Sequence, residues 1–265
     1  MAQNKGVLEI DQAASSARRK RSWYSAPQIT LACLTVGFGV FLVYFPERVA
    51  YLTFICFGWT LCIAFHEAGH ALFAKYSGDR FVNSYIKMNF VKYNDHMITM
   101  LNPLMLMLLQ GWGMFGGLDY INQTTFEVCG RPKRALIVLG GAFSSLILVA
   151  LFTLVVLFFR ENMLIEGIAA LDYLLVFSVL VNLMPLPYCD MFYFLIPELP
   201  EKARVLVSKA LNHRLMNLLL LLLTYSVVWL LLNYINTLDL FIMETLFIPK
   251  NLVKSGLGLL PKLSN

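Results

Sequence analysis

His66-Glu67-Ala68-Gly69-His70 interrupts one of the most apolar stretches of this chain, and that setting limits what the chain can fold into. From Tyr51 to Phe65 no charged residue occurs. The pattern H-E-x-x-H on a helix places two imidazoles one turn apart on the same face, a spacing that grips a single zinc ion. Glu67 is rotated by about 100° from His66 and is free to hold and deprotonate a water beside the metal. Two imidazoles and a carboxylate are costly at membrane depth unless they serve a site. A hydrolytic metal centre inside a bilayer is the expectation, and its substrate is expected to be a membrane segment.

Composition agrees with that setting. Of the 265 residues, 58% are hydrophobic and 14% charged, more apolar surface than one soluble core of this size can hide. Stretches 29–45, 49–73, 135–159, 168–187 and 215–235 reach the roughly 17–25 residues that a crossing helix needs. A sixth, 97–115, is broken by Asn102-Pro103, Gln110 and several glycines. It fits a re-entrant or interfacial element packed against protein better than a lipid-exposed helix. Short strands are expected at 81–93 and 118–126. The fold class is thus an all-α polytopic membrane protein of five to six transmembrane helices, with a re-entrant element and short membrane-associated strands.

The net charge of +5 owes much to Arg18-Arg19-Lys20-Arg21, just ahead of the first apolar stretch. A basic cluster there marks a cytoplasmic flank, and nucleic-acid binding is a poor reading of it. The first stretch reads as a retained helix and not a cleaved signal peptide. With the N-terminus inside, the loop carrying Lys75, Arg80, Lys87 and Lys92 and the loop carrying Lys202, Arg204, Lys209 and Arg214 both fall on the cytoplasmic side. The same orientation puts the histidines near that side. Asn122-Gln123-Thr124 matches a glycosylation acceptor but lies on the wrong face for it. Five scattered cysteines, with no C-x-x-C pair, offer neither a zinc knuckle nor a disulfide framework.

A catalytic zinc takes three protein ligands and leaves one position open. His96 and His213 fall in polar loops, and Asp172 falls in the opposite leaflet. Asp190 follows Asn182-Leu183-Met184-Pro185-Leu186-Pro187-Tyr188-Cys189, at the depth of His70. Two prolines break the helix there, and broken backbone at membrane depth is tolerated where it lines a cavity. Asp190 is therefore the candidate third ligand.

The pairing of His66-Glu67-Ala68-Gly69-His70 with Asn182…Pro185…Asp190 resembles the site-2 protease family of intramembrane zinc metalloproteases, in the small bacterial-type form without a PDZ-like insertion. Leu101-Asn102-Pro103, Gly111-Trp112 and Gly140-Gly141-Ala142 resemble intervening elements of that family. Cys189 and Met191 stand where the family places Leu and Gly around the aspartate. The resemblance covers roughly residues 50–200 and implies one Zn2+ held by His66, His70 and Asp190. It implies Glu67 as general base, transmembrane proteins as substrates, and regulated intramembrane proteolysis as the process. Asn182 is a candidate substrate-backbone or oxyanion contact. The implied organisation is a disordered basic tail over 1–26, a transmembrane zinc metalloprotease domain over 27–237, and an amphipathic or interfacial tail over 238–265. Two other readings place the activity elsewhere. One is a membrane-anchored zinc protease cutting at the cytoplasmic face, with Glu198 or Glu201 as ligand. The other is a catalytically silent homologue that binds client helices, against which intact Glu67 argues. A metal transporter lacks the required ladder of acidic and histidine residues. Oligomeric state, organelle and specific substrate are not readable from the residues.

Overall fold

The computed structural model describes residues 26–78, 101–113, 129–159 and 162–260. The expected strands at 81–93 and 118–126, the basic tail, His96 and Asn122 lie outside the described residues. Among the described residues the chain is helical and no strand occurs. Nine helices follow in order: α1 (Ala26–Tyr44), α2 (Arg48–Tyr76), α3 (Asn102–Gln110), α4 (Arg131–Phe158), α5 (Met163–Asn182), α6 (Asp190–Leu195), α7 (Glu201–Asn212), α8 (Arg214–Thr245) and α9 (Lys250–Gly258). A 3-10 turn, Ile196–Glu198, joins α6 to α7. Four of these, α2, α4, α5 and α8, are long and apolar enough to cross a membrane, and α1 is apolar but shorter. Over the described residues the architecture is that of an α-helical polytopic membrane protein.

Local chemistry sets the ends of these helices. Asn162 caps α5, its side-chain oxygen accepting from the Ile165 amide at 3.0 Å. Pro132 occupies the first turn of α4, where a missing N–H costs nothing. Gly111 closes α3 in the left-handed region at φ 71°, with its amide on the Met107 carbonyl. Beyond α5, Pro185 and Pro187 forbid a further helical turn, and the chain reverses through Tyr188 at φ 66°.

Packing is centred on α5, which touches α4, α8, α9, α2 and α1. Most of its length is buried, whereas α8 turns most of its apolar surface outward, as a lipid-facing helix does. Small residues bring the backbones together, as they do where lipid removes the hydrophobic drive between helices. A methyl at Gly69 of α2 would fall 2.4 Å from the Gly140 carbonyl oxygen and the Ser144 hydroxyl of α4. One at Gly256 of α9 would fall 2.3 Å from the Glu166 carbonyl of α5. One at Gly113, just past α3, would fall 1.9 Å from the Leu174 carbonyl near the middle of α5.

Two expectations are corrected. The final span does not stop near residue 235. Asn236 and Asp239 continue α8 because their polar groups face protein: the Asn236 side-chain oxygen accepts from Tyr173 Oη at 2.8 Å, and Asp239 is buried. Residues 238–245 therefore belong to α8, and among the described residues of the expected tail the short helix α9 follows. It is docked on the bundle through the Tyr51 hydroxyl, which donates to the Gly256 carbonyl at 2.7 Å. The basic segment 201–212, read as loop, is the helix α7.

Replacing Gly69 by Ala is expected to destabilise the purified chain in detergent by about 1–3 kcal/mol, the usual cost of overpacking. Gly37, which has open space around it, is the matched control. Equal melting temperatures for Gly69→Ala and Gly37→Ala would contradict this packing.

Candidate metal centre

His66 and His70 lie one turn apart on α2, with rings edge-to-face and centroids 4.6 Å apart. Both are fully buried, as is Glu67. Asp190, the first residue of α6, comes to meet them, and its Oδ2 lies 3.2 Å from each imidazole Nε2. The two Nε2 atoms are 3.0 Å apart. Three donor atoms distant in sequence thus form a nearly equilateral triangle, the one such group among the described residues.

The second nitrogen of each ring fixes its direction. His70 Nδ1 lies 2.8 Å from the Ile137 carbonyl oxygen of α4. The Gly141 amide also approaches this nitrogen, at 3.1 Å; with the proton on Nδ1, donated to the carbonyl, Nε2 presents its lone pair to the triangle. His66 Nδ1 lies 2.9 Å from Ser145 Oγ on the same face of α4. Gly141 stands between these two anchors. A methyl there would fall 2.2 Å from His70 Nε2 and 2.7 Å from His66 Cε1. Only a residue without Cβ lets α4 lie this close behind the rings.

These residues fit a zinc ion. Tetrahedral bonds of about 2.0–2.1 Å place neighbouring donors about 3.3–3.4 Å apart, close to the edges observed. Imidazole nitrogens and a carboxylate oxygen are ordinary zinc ligands, and three of them leave a fourth position open. Three lone-pair donors converging in a buried space repel one another unless positive charge lies among them. Beside Asp190, the buried Cys189 is a packed neighbour of the site.

The remaining sequence candidates divide clearly. Asn182 ends α5, buried, its amide donating to Ser178 Oγ at 3.2 Å. Asp172 is buried on α5, where Oδ2 accepts from Thr153 Oγ1 at 2.9 Å, and it does not join the triangle. Glu198 is held by Arg134 of α4, and Glu201 begins α7; neither belongs to the metal group. His213 is the residue between α7 and α8. Sequence reasoning missed Ser145 and the Ile137 carbonyl, which orient the imidazoles. Gly140-Gly141 and Ser144-Ser145, one after the other, were the visible trace of a close crossing.

Comparison with known proteins agrees with this chemistry. Over 154 residues the chain is 32% identical to a protein named "Putative zinc metalloprotease Rip2" from Mycolicibacterium smegmatis, covering 56% of this chain and 59% of that protein. Proteins of the same name from two strains of Mycobacterium tuberculosis are 30% identical over 155 residues, with the same coverage. The chain is a homologue of these Rip2-named proteins. That kinship supports the resemblance to the site-2 protease family. The chain spans less than two thirds of the length of the curated relatives it matches. No family model matches the chain, and no solved structure matches it.

Gly141→Ala is expected to empty the site without unfolding the bundle. Zinc content of the purified protein should fall severalfold while far-ultraviolet circular dichroism stays unchanged. Full zinc content in this variant would contradict the contact between α4 and the imidazoles.

Proposed function

We propose that the chain is an intramembrane zinc metalloendopeptidase that hydrolyses peptide bonds within or near transmembrane segments of other membrane proteins. One observation carries the reading: two imidazoles of an apolar helix and a carboxylate from a proline-broken turn converge to 3.0–3.2 Å in a buried space. His66, His70 and Asp190 would hold one Zn2+. When bound, that ion supplies Lewis acidity, which makes a water nucleophilic at neutral pH and polarises a peptide carbonyl. Glu67, on the same turn as the histidines, takes the proton of the attacking water and returns it to the departing amine. Asn182, at the end of α5, would donate to a substrate carbonyl or to the oxyanion as charge develops there.

Depth supports a membrane substrate. At 1.5 Å per residue, His66 and His70 lie about 15 Å and about 9 Å along the axis from Tyr76, the last residue of α2. The whole of α2 spans about 43 Å against a hydrocarbon core of about 30 Å, so with α2 centred on that core both imidazoles would fall below the headgroups. At nine residues, or about 14 Å, α3 is too short to cross. Gly113 meets α5 at mid-length, which supports reading the segment around α3 as a re-entrant element. Arg131, Lys133 and Arg134 at the start of α4 and Lys202, Arg204 and Lys209 on α7 sit at the end of the bundle that carries Asp190. That asymmetry favours a cytoplasmic mouth for the site. A helical substrate hides its carbonyls in its own hydrogen bonds, so cleavage requires local unwinding.

The test is co-expression with single-span membrane proteins and mapping of the cut by mass spectrometry. Glu67→Gln is expected to retain zinc but to lower cleavage by at least about 100-fold, the scale of general-base loss. Cuts confined to extramembrane loops would favour a membrane-anchored protease acting at the surface. Undiminished cleavage by Glu67→Gln would overturn the proposed chemistry.

A further inference from the structure

The three ligands are not equally secured. His66 and His70 belong to a 29-residue helix buried along one face. Asp190 begins a six-residue helix in which it is the one buried residue. The helix packs against α4 and follows the buried Tyr188 and Cys189, and Oδ2 of Asp190 stands at the same 3.2 Å from both imidazoles. Contacts on either side of α6 also bear on that position.

Two side-chain clamps flank it. Upstream, Thr224 Oγ1 of α8 lies 2.9 Å from the Pro187 carbonyl and 3.1 Å from the Leu220 carbonyl of its own helix, so its one proton is shared between the proline turn and α8. Downstream, the 3-10 turn that continues α6 ends in Glu198, whose Oε1 accepts from Arg134 Nη2. Arg134 is buried at the start of α4, and its Nη1 also donates to the Cys129 carbonyl at 3.4 Å, which braces the guanidinium against its own helix. Arg131 lies 4.0 Å from the same carboxylate, largely exposed, and adds little. Arg134, Ile137, Gly141 and Ser145 succeed one another at spacings of three and four on α4, so they share one helix face. That face orients His70 through the Ile137 carbonyl and His66 through Ser145.

From this geometry we infer that the Arg134–Glu198 ion pair is a positioning device for the metal centre: it ties the Asp190 arm to the helix face that also orients both histidines. The inference rests on the reading of His66, His70 and Asp190 as a zinc site. Neither partner belongs to the donor triangle. Their effect passes through the placement of Asp190, as outer-shell partners of ligating carboxylates commonly do. Glu198 is thereby assigned a role different from that of an alternative ligand.

Zinc competition against a chromophoric chelator tests this on the purified full-length chain in detergent, together with the visible spectrum of the Co2+-substituted protein. Glu198→Gln, a partly exposed isosteric change, is expected to weaken zinc binding by about 10–100-fold. It should also shift the Co2+ ligand-field bands while the melting temperature of the metal-free protein stays within a few degrees. Arg134→Lys keeps the charge and is expected to restore most of the affinity lost in Arg134→Ala. Wild-type zinc affinity and an unchanged Co2+ spectrum in Glu198→Gln would overturn the inference. So would equal losses in Arg134→Lys and Arg134→Ala. Wild type and Asp190→Ala, measured alongside, separate the two levels. If wild type binds no zinc, the metal site itself fails. If wild type binds zinc, Asp190→Ala loses it and Glu198→Gln does not, only the positioning role fails.

Discussion

The close crossing of α2 and α4 is the constraint on which the rest depends. Gly69 on one helix meets Gly140 and Ser144 on the other, and Gly141 meets the two imidazoles, at distances that leave no room for a Cβ. At that separation the Ile137 carbonyl reaches one imidazole and the Ser145 hydroxyl the other. Both ring orientations follow from backbone approach. A crossing wider by one methyl group would leave Nδ1 of each histidine without its partner and Nε2 without its direction. In a bilayer such a crossing is secured by dispersion contacts and polar side chains, since lipid tails supply no hydrophobic force between helices.

The second requirement is a helix that stops in the right place. An uninterrupted α5 would carry residue 190 about 12 Å past Asn182 along its axis. Pro185 and Pro187 prevent that continuation, and the positive φ of Tyr188 turns the chain so that Asp190 opens a new helix beside the histidines. The broken backbone lies against protein on several sides, with the Pro187 carbonyl taken by Thr224 and the Cys189 amide by the Leu186 carbonyl. Polar backbone at membrane depth is tolerable because these partners are present.

Much of the site was legible in the residues because its parts are local. H-E-x-x-H needs only helical periodicity to put both imidazoles on one face, and Pro-x-Pro before an acidic residue announces a helix break with a carboxylate at its end. The anchors from α4 were not legible, because a main-chain carbonyl carries no side-chain signature and a serine in an apolar span has many ordinary reasons to be there. The pairing of Arg134 with Glu198 joins residues 64 apart, which no local pattern encodes. The length of α8 was misjudged for a related reason. Asn236 and Asp239 look like the end of a span when taken singly, and only the Tyr173 hydroxyl and the burial that α5 and its neighbours provide explain why the helix continues through them. The segment 201–212 was misread because its charges outweighed its apolar spacing.

Zinc K-edge X-ray absorption on the purified, detergent-solubilised chain tests the central claim most directly. The account predicts one zinc per chain, with a first shell of light atoms at about 2.0–2.2 Å and the multiple-scattering signature of two imidazoles. Asp190→Ala, purified alongside, should carry little zinc. A sulfur shell at about 2.3 Å, or a spectrum with fewer than two imidazoles, would contradict it.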